Sequence, residues 1–342
     1  VALLSTNKNP SLVDWRQSQD PNGQVAAVIE VLDQTNEVLR DLVFQEGNLE
    51  TGHRTTIRSG LPEGTWRRLY GGVQPTKSRR VQVDEHCGML EAYNEVDKAL
   101  ADLNGNTAAF RLSEAVAQIE GMNQQMAKQV FYGSKLDVER FEGLSSRFGA
   151  KSAENGDNII DAGGTGSDNR SIWLVVWGPM TCMGLIPKGS TAGLQVTDKG
   201  QVTIEDATGS NGGRMEGYRM HFRWDVGLCV KDWRYVVRIA NIDKSELTTN
   251  GTNAADLPEL MFQAIDLIPN LGMGSGGAGA MQGTKAFYMS RDIKTALRQQ
   301  LAREVKQSTL EIENVGGVRT EMFQGIPLRR VDALAVDETR VT

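Results

Sequence analysis

Apolar residues recur along Asn106 to Gly133 at Leu112, Val116, Ile119, Met122, Met126 and Val130. Steps of three and four residues line one face of an α-helix. The stretch is therefore predicted to be a single helix, about 40 Å long at about 1.5 Å per residue. Asn106 is the expected N-cap, with Ser113 as a later alternative start, and Gly133 suits a left-handed position just past the end. Gly121 is a mid-helix defect of about 1 kcal/mol relative to alanine. Arg111, Gln118, Gln125 and Lys128 fall on the opposite face. Leu112, Val116, Ile119, Met126 and Val130 are therefore expected to face the core.

The same reading applies to the rest of the chain. Residues 1–23 are polar and read as an extended arm. Gln24 to Leu42 has helical spacing at Val25, Val28, Ile29 and Leu32, then Val38, Leu39 and Leu42, with a break near Thr35–Asn36. Residues 51–84 hold β-rich pieces split by Gly60–Leu61–Pro62, Gly71–Gly72 and Pro75, which predicts a long two-stranded excursion. A strand and a short helix follow over "CGMLEAYNEVDKALADLNG". "IWLVVWG" at 172–178 and "MGLIPKG" are buried strands by their apolar runs, and residues 218–240 form a long strand region rich in aromatic and β-branched residues. Residues 254–268 predict a helix, "KAFYMS" a strand, "RDIKTALRQQLAREV" a helix and "GIPLRRVDAL" a final strand. Strands and helices mix without regular alternation, which gives an α+β fold.

Composition changes this picture in one place. The chain has 342 residues, 39% of them hydrophobic and 23% charged, with a formal net charge of −6. No apolar run reaches the roughly 18–20 residues of a membrane span, and the first residues lack the basic start of a signal peptide. Cys87, Cys182 and Cys229 are sparse and far apart, which predicts reduced thiols. Within 51–80, however, Arg54, Arg58, Arg67, Arg68, Lys77, Arg79 and Arg80 face only Glu63, so this segment is +6 in a chain that is −6. Such a segment buries itself poorly. It fits an arm that binds nucleic acid, an arm that lies on an acidic neighbouring subunit, or a solvated loop.

Candidate chemistry is thin. Gly274, Gly276 and Gly279 match the spacing of a dinucleotide-binding loop, but a helix and Pro269 precede them and a strand follows, the reverse of the order such a site needs. Asp157, Asp161 and Asp168 lack calcium-loop spacing. His53, His86 and His221 stand in no metal-ligand spacing. His86 and Cys87 are strand neighbours and point to opposite faces. No serine lies in a nucleophile elbow. No catalytic residue, cofactor or metal site is expected.

The order of basic excursion, strand, short helix and long helix ending in "VFYG", then "FEGL", resembles the major capsid protein of tailed bacteriophages, which has the Hong Kong 97 fold. "DWRYVVRIANI", "AFYMSRDIKTALRQQ" and "FQGIPLRRVDAL" are similar to that family's long strand, axial strand–helix and "G-x-P" strand. "ALLSTNK" and "AAFRLSEA" resemble the short-tailed phage subfamily. One feature departs from the family's usual order: Lys285–Gln300 and Gln324–Leu334 follow Tyr218–Ile242 instead of preceding it, so the elements are expected to be connected in permuted order, with Phe287–Met289 in the same axial sheet as Ile326–Arg330 and Ile172–Val176 close by.

The resemblance implies an N-terminal arm and helix at 1–48, an E-loop at 49–84, and a peripheral domain with its spine helix at 85–150. It further implies axial-domain pieces at 151–213 and 244–342, with a strand at 214–243 returning to the peripheral domain. It implies a structural protein that self-assembles into hexamers and pentamers of an icosahedral shell around phage double-stranded DNA. The DNA would be held only non-specifically. Scaffolding and portal proteins are implied as partners, with a cementing protein as a further candidate and no membrane. The location implied is the virion capsid, after assembly in the host cytoplasm. Contact residues expected in the E-loop are Arg54, Arg58, Trp66, Arg67, Arg68, Lys77, Arg79 and Arg80. An encapsulin-like compartment shell has the same fold and is the alternative; a nucleotide-cofactor enzyme is the remote one.

Overall fold

The computed structural model describes residues 34–205, 213–249, 254–269, 283–303, 310–315 and 318–342. Its strands are β1 (Phe44–Glu46), β2 (Gly52–Gly60), β3 (Arg79–Asp97), β4 (Ile159–Asp161), β5 (Asn169–Trp177), β6 (Cys182–Ile186) and β7 (Gln195–Glu205), then β8 (Arg214–Val230), β9 (Val236–Asp243), β10 (Thr284–Met289), β11 (Leu310–Val315), β12 (Val318–Phe323) and β13 (Ile326–Arg330). The longer helices are α1 (Thr107–Tyr132), α2 (Leu257–Leu267) and α3 (Arg291–Arg303). The described chain forms two compact units. The first holds residues 34–35, 89–127, 191–205 and 213–225; the second holds the rest.

The second unit is built on β5, "NRSIWLVVW", every residue of which is buried. Successive side chains in a strand face opposite ways, so both faces of β5 need cover. Ile172, Leu174 and Val176 join a core with Met261 of α2, Ile293 and Leu297 of α3, and Phe287. On the other face Trp173 meets Phe131 at 6.2 Å and Phe148 at 6.1 Å between ring centroids. Trp177 donates from Nε1 to the Tyr288 hydroxyl at 2.6 Å. β10 runs antiparallel to β5, with Phe287 opposite Leu174, and parallel to β13, with Phe287 opposite Leu328. Phe287–Met289 and Ile326–Arg330 therefore share a sheet as expected, and Ile172–Val176, expected close by, belongs to the same sheet. β9 takes the other edge of β5. Residues 218–240 are not one strand: β8 and β9 are separated by a turn at Trp233–Tyr235, where Asp232 accepts from the Arg234 N–H at 3.1 Å.

In the first unit β7 pairs antiparallel with Arg214–Arg223 of β8, and β3 lies on the other side of β8. Ala115 and Met122 of α1 pack on Phe222, with Leu90, Ala92, Leu194, Met220 and Trp224 around them. α1 spans the predicted stretch, but its orientation differs from the expectation. Leu112, Val116 and Ile119 are exposed, whereas Met122, Met126 and Val130 are buried. Arg111, placed by the pattern on the outer face, is instead mostly buried and pairs with Asp198 at 2.6 Å. Its guanidinium lies 4.7 Å from the centre of the Tyr218 ring. An arginine that keeps both an ion pair and an aromatic face can cover a sheet with its stem, so the apolar stripe was free to turn outward.

Two further expectations are corrected. Gly133 is not among the positive-φ glycines. It is required by close approach: a Cβ there would stand 2.6 Å from the Phe141 carbonyl oxygen and 2.7 Å from the Gly143 nitrogen. The described part of the predicted 24–42 helix keeps only Val38–Asp41; residues 1–33 lie outside the described residues. The Asn36 side chain accepts from the Ala333 N–H at 3.1 Å, which holds this segment against the turn after β13. The glycine run at 271–282 likewise lies outside the described residues.

A buried polar cluster closes the β5 face that carries Trp173. Arg238 pairs with Glu338 at 2.7 Å, donates to the Phe148 carbonyl at 2.6 Å and to Ser171 at 3.1 Å, and lies over the Trp173 ring. Tyr132 donates to Glu338 at 2.6 Å, and Ser171 also bonds it. Burial, then the charge of Glu338, pushes the Tyr132 phenol well above its ordinary range. Removing one member of a buried ion pair leaves the other uncompensated. Glu338→Ala is therefore expected to destabilise the subunit by about 3–5 kcal/mol, read as a lower midpoint in denaturant unfolding of the purified chain; an unchanged midpoint would show that Arg238 is not held by this carboxylate.

Candidate functional site

The predicted excursion is present as an antiparallel hairpin of β2 and the first part of β3, in register from Gly52 opposite His86 to Gly60 opposite Arg79. Its base is fixed by close backbone packing. A Cβ at Gly52 would stand 1.9 Å from the Glu85 carbonyl oxygen, and one at Gly47 2.3 Å from the Gly52 oxygen. Asn48 copies a strand partner: its side chain accepts from the Arg54 N–H at 2.7 Å and donates to the Arg54 carbonyl at 2.8 Å. β1 then pairs in parallel with β6, and the Gly47 N–H donates to Ile186 at 2.8 Å.

A buried ion pair clamps the same place. Arg147 donates through both terminal nitrogens to the two oxygens of Glu85, at 2.6 Å each, and to the Leu228 carbonyl at 3.3 Å. Burial opposes the charge on Arg147, but the Glu85 bonds outweigh it and hold the guanidinium above its usual range. A two-pronged arginine–carboxylate bond fixes direction as well as distance. The hairpin therefore leaves the second unit at a defined place.

Beyond the strands, residues 61–78 carry no helix or strand. The tip is a turn in which the Gly71 N–H donates to the Arg68 carbonyl at 3.0 Å, with Tyr70 at φ +65°. Arg67 donates to the Gly71 carbonyl at 3.2 Å, and Thr76 to the Glu63 carbonyl at 3.1 Å. Trp66 and Tyr70 are 101% and 100% exposed, and Leu61 and Leu69 are also exposed. Large apolar side chains grouped this way mark contact surfaces.

The predicted site residues are thus dispersed along one arm. Arg67, Arg68 and Trp66 stand at the tip, Lys77 on the returning strand's approach, and Arg79 and Arg80 at the start of β3, all exposed. Arg58 is opposite Arg80 in the ladder. Arg54 is different: it is paired with Asp84 at 2.6 Å. Glu85, Arg147 and Asn48, which hold the arm, were not identified from the sequence. An acid among basic and polar residues is a weak signal, and its partner lies 62 residues away.

Other candidates have structural roles. Asp161 bonds Lys151 and Asn241, and Asp168 accepts from Ser245. Burial pushes the Cys229 thiol up to about 11. Among the described residues no group of His, Cys, Asp or Glu side chains is gathered as for a metal ion, and no helix is long and apolar enough to cross a membrane.

The described chain is thus two α+β units, with a hairpin in the second unit that is clamped at its base and exposed at its tip. Comparison with known proteins identifies it. The family model described as "Major capsid protein GP7" matches residues 20–342, and the chain belongs to that family. A near-atomic cryo-EM structure of bacteriophage epsilon15 matches with 36% identity over 99% of both chains and a TM-score of 0.76. More distant matches are the bacteriophage JBD30 capsid (7% identity, 90% of this chain and 96% of that one, TM-score 0.44) and an encapsulin complex from Synechococcus elongatus (8%, 71% and 97%, 0.41). No curated protein sequence matches. The chain is a phage major capsid protein of Hong Kong 97-like α+β fold, a structural subunit of the virion capsid that assembles with copies of itself.

His53 sits in the hairpin base and gives it a pH dependence. The Asn48 N–H donates to its Nδ1 at 3.3 Å. Burial, then the Lys231 charge, lowers its pKa from 6.5. A base with a depressed folded pKa loses stability as pH falls from the unfolded value toward the folded one. Below about pH 6.5 the protection of the Asn48 amide against hydrogen exchange is expected to fall. His53→Phe should lack this dependence, and an identical fall in that variant would assign the effect elsewhere.

Proposed function

We propose that the hairpin at 49–84 is the E-loop of this subunit and that it binds an adjacent subunit in the shell. The observation that carries this reading is the pairing of a rigid base with a fully exposed tip that presents Trp66, Leu69 and Tyr70 beside Arg67 and Arg68. Indole and phenol rings supply contact area at low entropic cost, and arginine adds directional bonds. Arg54, Arg58, Lys77, Arg79 and Arg80 extend the basic strip toward the base, with Arg54 already paired to Asp84. The first unit corresponds to the peripheral domain and the core around β5 to the axial domain. Subunits associate as hexamers and pentamers in an icosahedral shell, formed in the host cytoplasm with scaffolding and portal proteins, and with a cementing protein as a further candidate partner. A body that is acidic outside the arm avoids gripping the packaged DNA.

Two variants separate folding from assembly. Trp66→Ala removes a side chain that touches nothing within its own subunit, so the chain should stay folded while the intersubunit contact loses about 2 kcal/mol or more. Arg67→Glu with Arg68→Glu should leave circular dichroism unchanged and weaken assembly, because like charges then face an acidic neighbour. Exposed pairs are worth about 1 kcal/mol or less each, so repetition around the shell sets the size of the effect. Shell yield by electron microscopy, and its salt dependence, checks both; wild-type yield from both variants would remove the loop from the interface.

A further inference from the structure

Helices α2 and α3 share one core in the second unit and are braced against each other. Leu257, Met261 and Ala264 of α2 join a single buried cluster with Ile293, Ala296 and Leu297 of α3. The Gln300 side chain ties the two: its Nε2 donates to the Ala255 carbonyl at 2.8 Å, and its Oε1 accepts from the Leu257 N–H at 3.1 Å. Each helix therefore presents a fixed outer face.

The two outer faces carry opposite charge. Residues 254–269 hold Asp256, Glu259 and Asp266 and no cation, a net charge of −3. α3 holds Arg291, Lys294, Arg298 and Arg303 against Asp292, a net charge of +3. Glu259, Phe262 and Asp266 fall at i, i+3 and i+7 on one side of α2, and all three are exposed. Arg291, Thr295 and Arg298 fall at i, i+4 and i+7 on one side of α3 and are exposed as well. Among the described residues Glu259, Asp266 and Arg291 enter no ion pair, while Arg298 and Lys294 share Glu321. The two acids are seven residues apart and so are the two arginines, an interval of about 10 Å along either helix. Phe262 stands between the acids, and the smaller Thr295 stands between the arginines.

We propose that the α2 face of one subunit docks on the α3 face of the next. The contact sets Glu259 and Asp266 against Arg291 and Arg298, with the Phe262 ring over Thr295. A second copy is the partner because a face of matching charge and spacing is carried by the same chain. Either face meeting its own copy would set like charges together, which is unfavourable. The contact is therefore head-to-tail, and such a contact closes into a ring where the rotation allows it. This inference rests on the reading of the subunits as rings within a shell and is independent of the hairpin contact.

The experiment uses the full chain, with shell yield by electron microscopy, circular dichroism as the check on folding and the wild-type chain in parallel. Glu259→Lys with Asp266→Lys reverses one face, and Arg291→Glu with Arg298→Glu reverses the other. Each pair should leave the chain folded and lower the yield at least about tenfold, because like charges then meet across the contact. All four substitutions in one chain should bring the yield back to within about threefold of wild type, the coupling expected of groups in direct contact. Arg291→Glu alone keeps the Glu321 pairs and stands in for the second face if the double variant loses its helix signal. Wild-type yield from either reversed face would overturn the proposal, as would a fourfold variant no better than the single-face ones. Rescue of the reversed α2 face by Arg67→Glu with Arg68→Glu, in place of the α3 changes, would put the hairpin tip on α2 and overturn it too. A wild-type chain that forms no rings or shells would overturn the ring reading itself, and this contact with it.

Discussion

Strand β5 has no exposed residue, and that constraint organises the second unit. A strand buried on both faces cannot stand at the surface of a small sheet. One face is closed by α2 and α3 through Met261, Ile293 and Leu297, the other by Phe131 and Phe148 on Trp173. The second face also carries Arg238, so its charge had to be brought into the interior with partners. Glu338, Ser171 and the Phe148 carbonyl supply them. Residue 338 comes from near the end of the described chain, which ties that segment to the centre of the unit.

This rigid core gives the extended hairpin something to push against. Close glycine packing at Gly47 and Gly52 and the Glu85–Arg147 pair fix the departure. The tip, by contrast, leaves Trp66 and Tyr70 in solvent within the subunit. Large exposed rings are a liability in a monomer and are sensible in a chain whose finished state is a shell. The energetics of this protein are therefore divided. Burial in the core stabilises the subunit, whereas the apolar and basic groups at the tip are left exposed within it.

Much of this was legible in the sequence because local pattern encodes local structure. The 3.6-residue period marked α1, the apolar run at 172–178 marked β5, and glycine and proline punctuation with a basic excess marked the hairpin. The family order of these pieces led to the shell function; among the exposed hairpin residues, Trp66, Arg67 and Arg68 had been named for contact whereas Leu61, Leu69 and Tyr70 had not.

What the sequence could not decide is which side of an element meets which neighbour. Periodicity defines an apolar stripe on α1, but the direction of the stripe depends on the sheet that the helix meets. The fold placed Arg111 on Asp198 and Tyr218 and left Leu112, Val116 and Ile119 outside. Gly133 looked like a helix stop by φ and is required instead by a backbone 2.6 Å from its missing Cβ. Likewise Glu85 and Arg147, or Arg238 and Glu338, carry no mark of each other in the chain. Their pairing exists only once distant segments are packed, because a buried charge is tolerated where an opposite one is delivered to it in three dimensions.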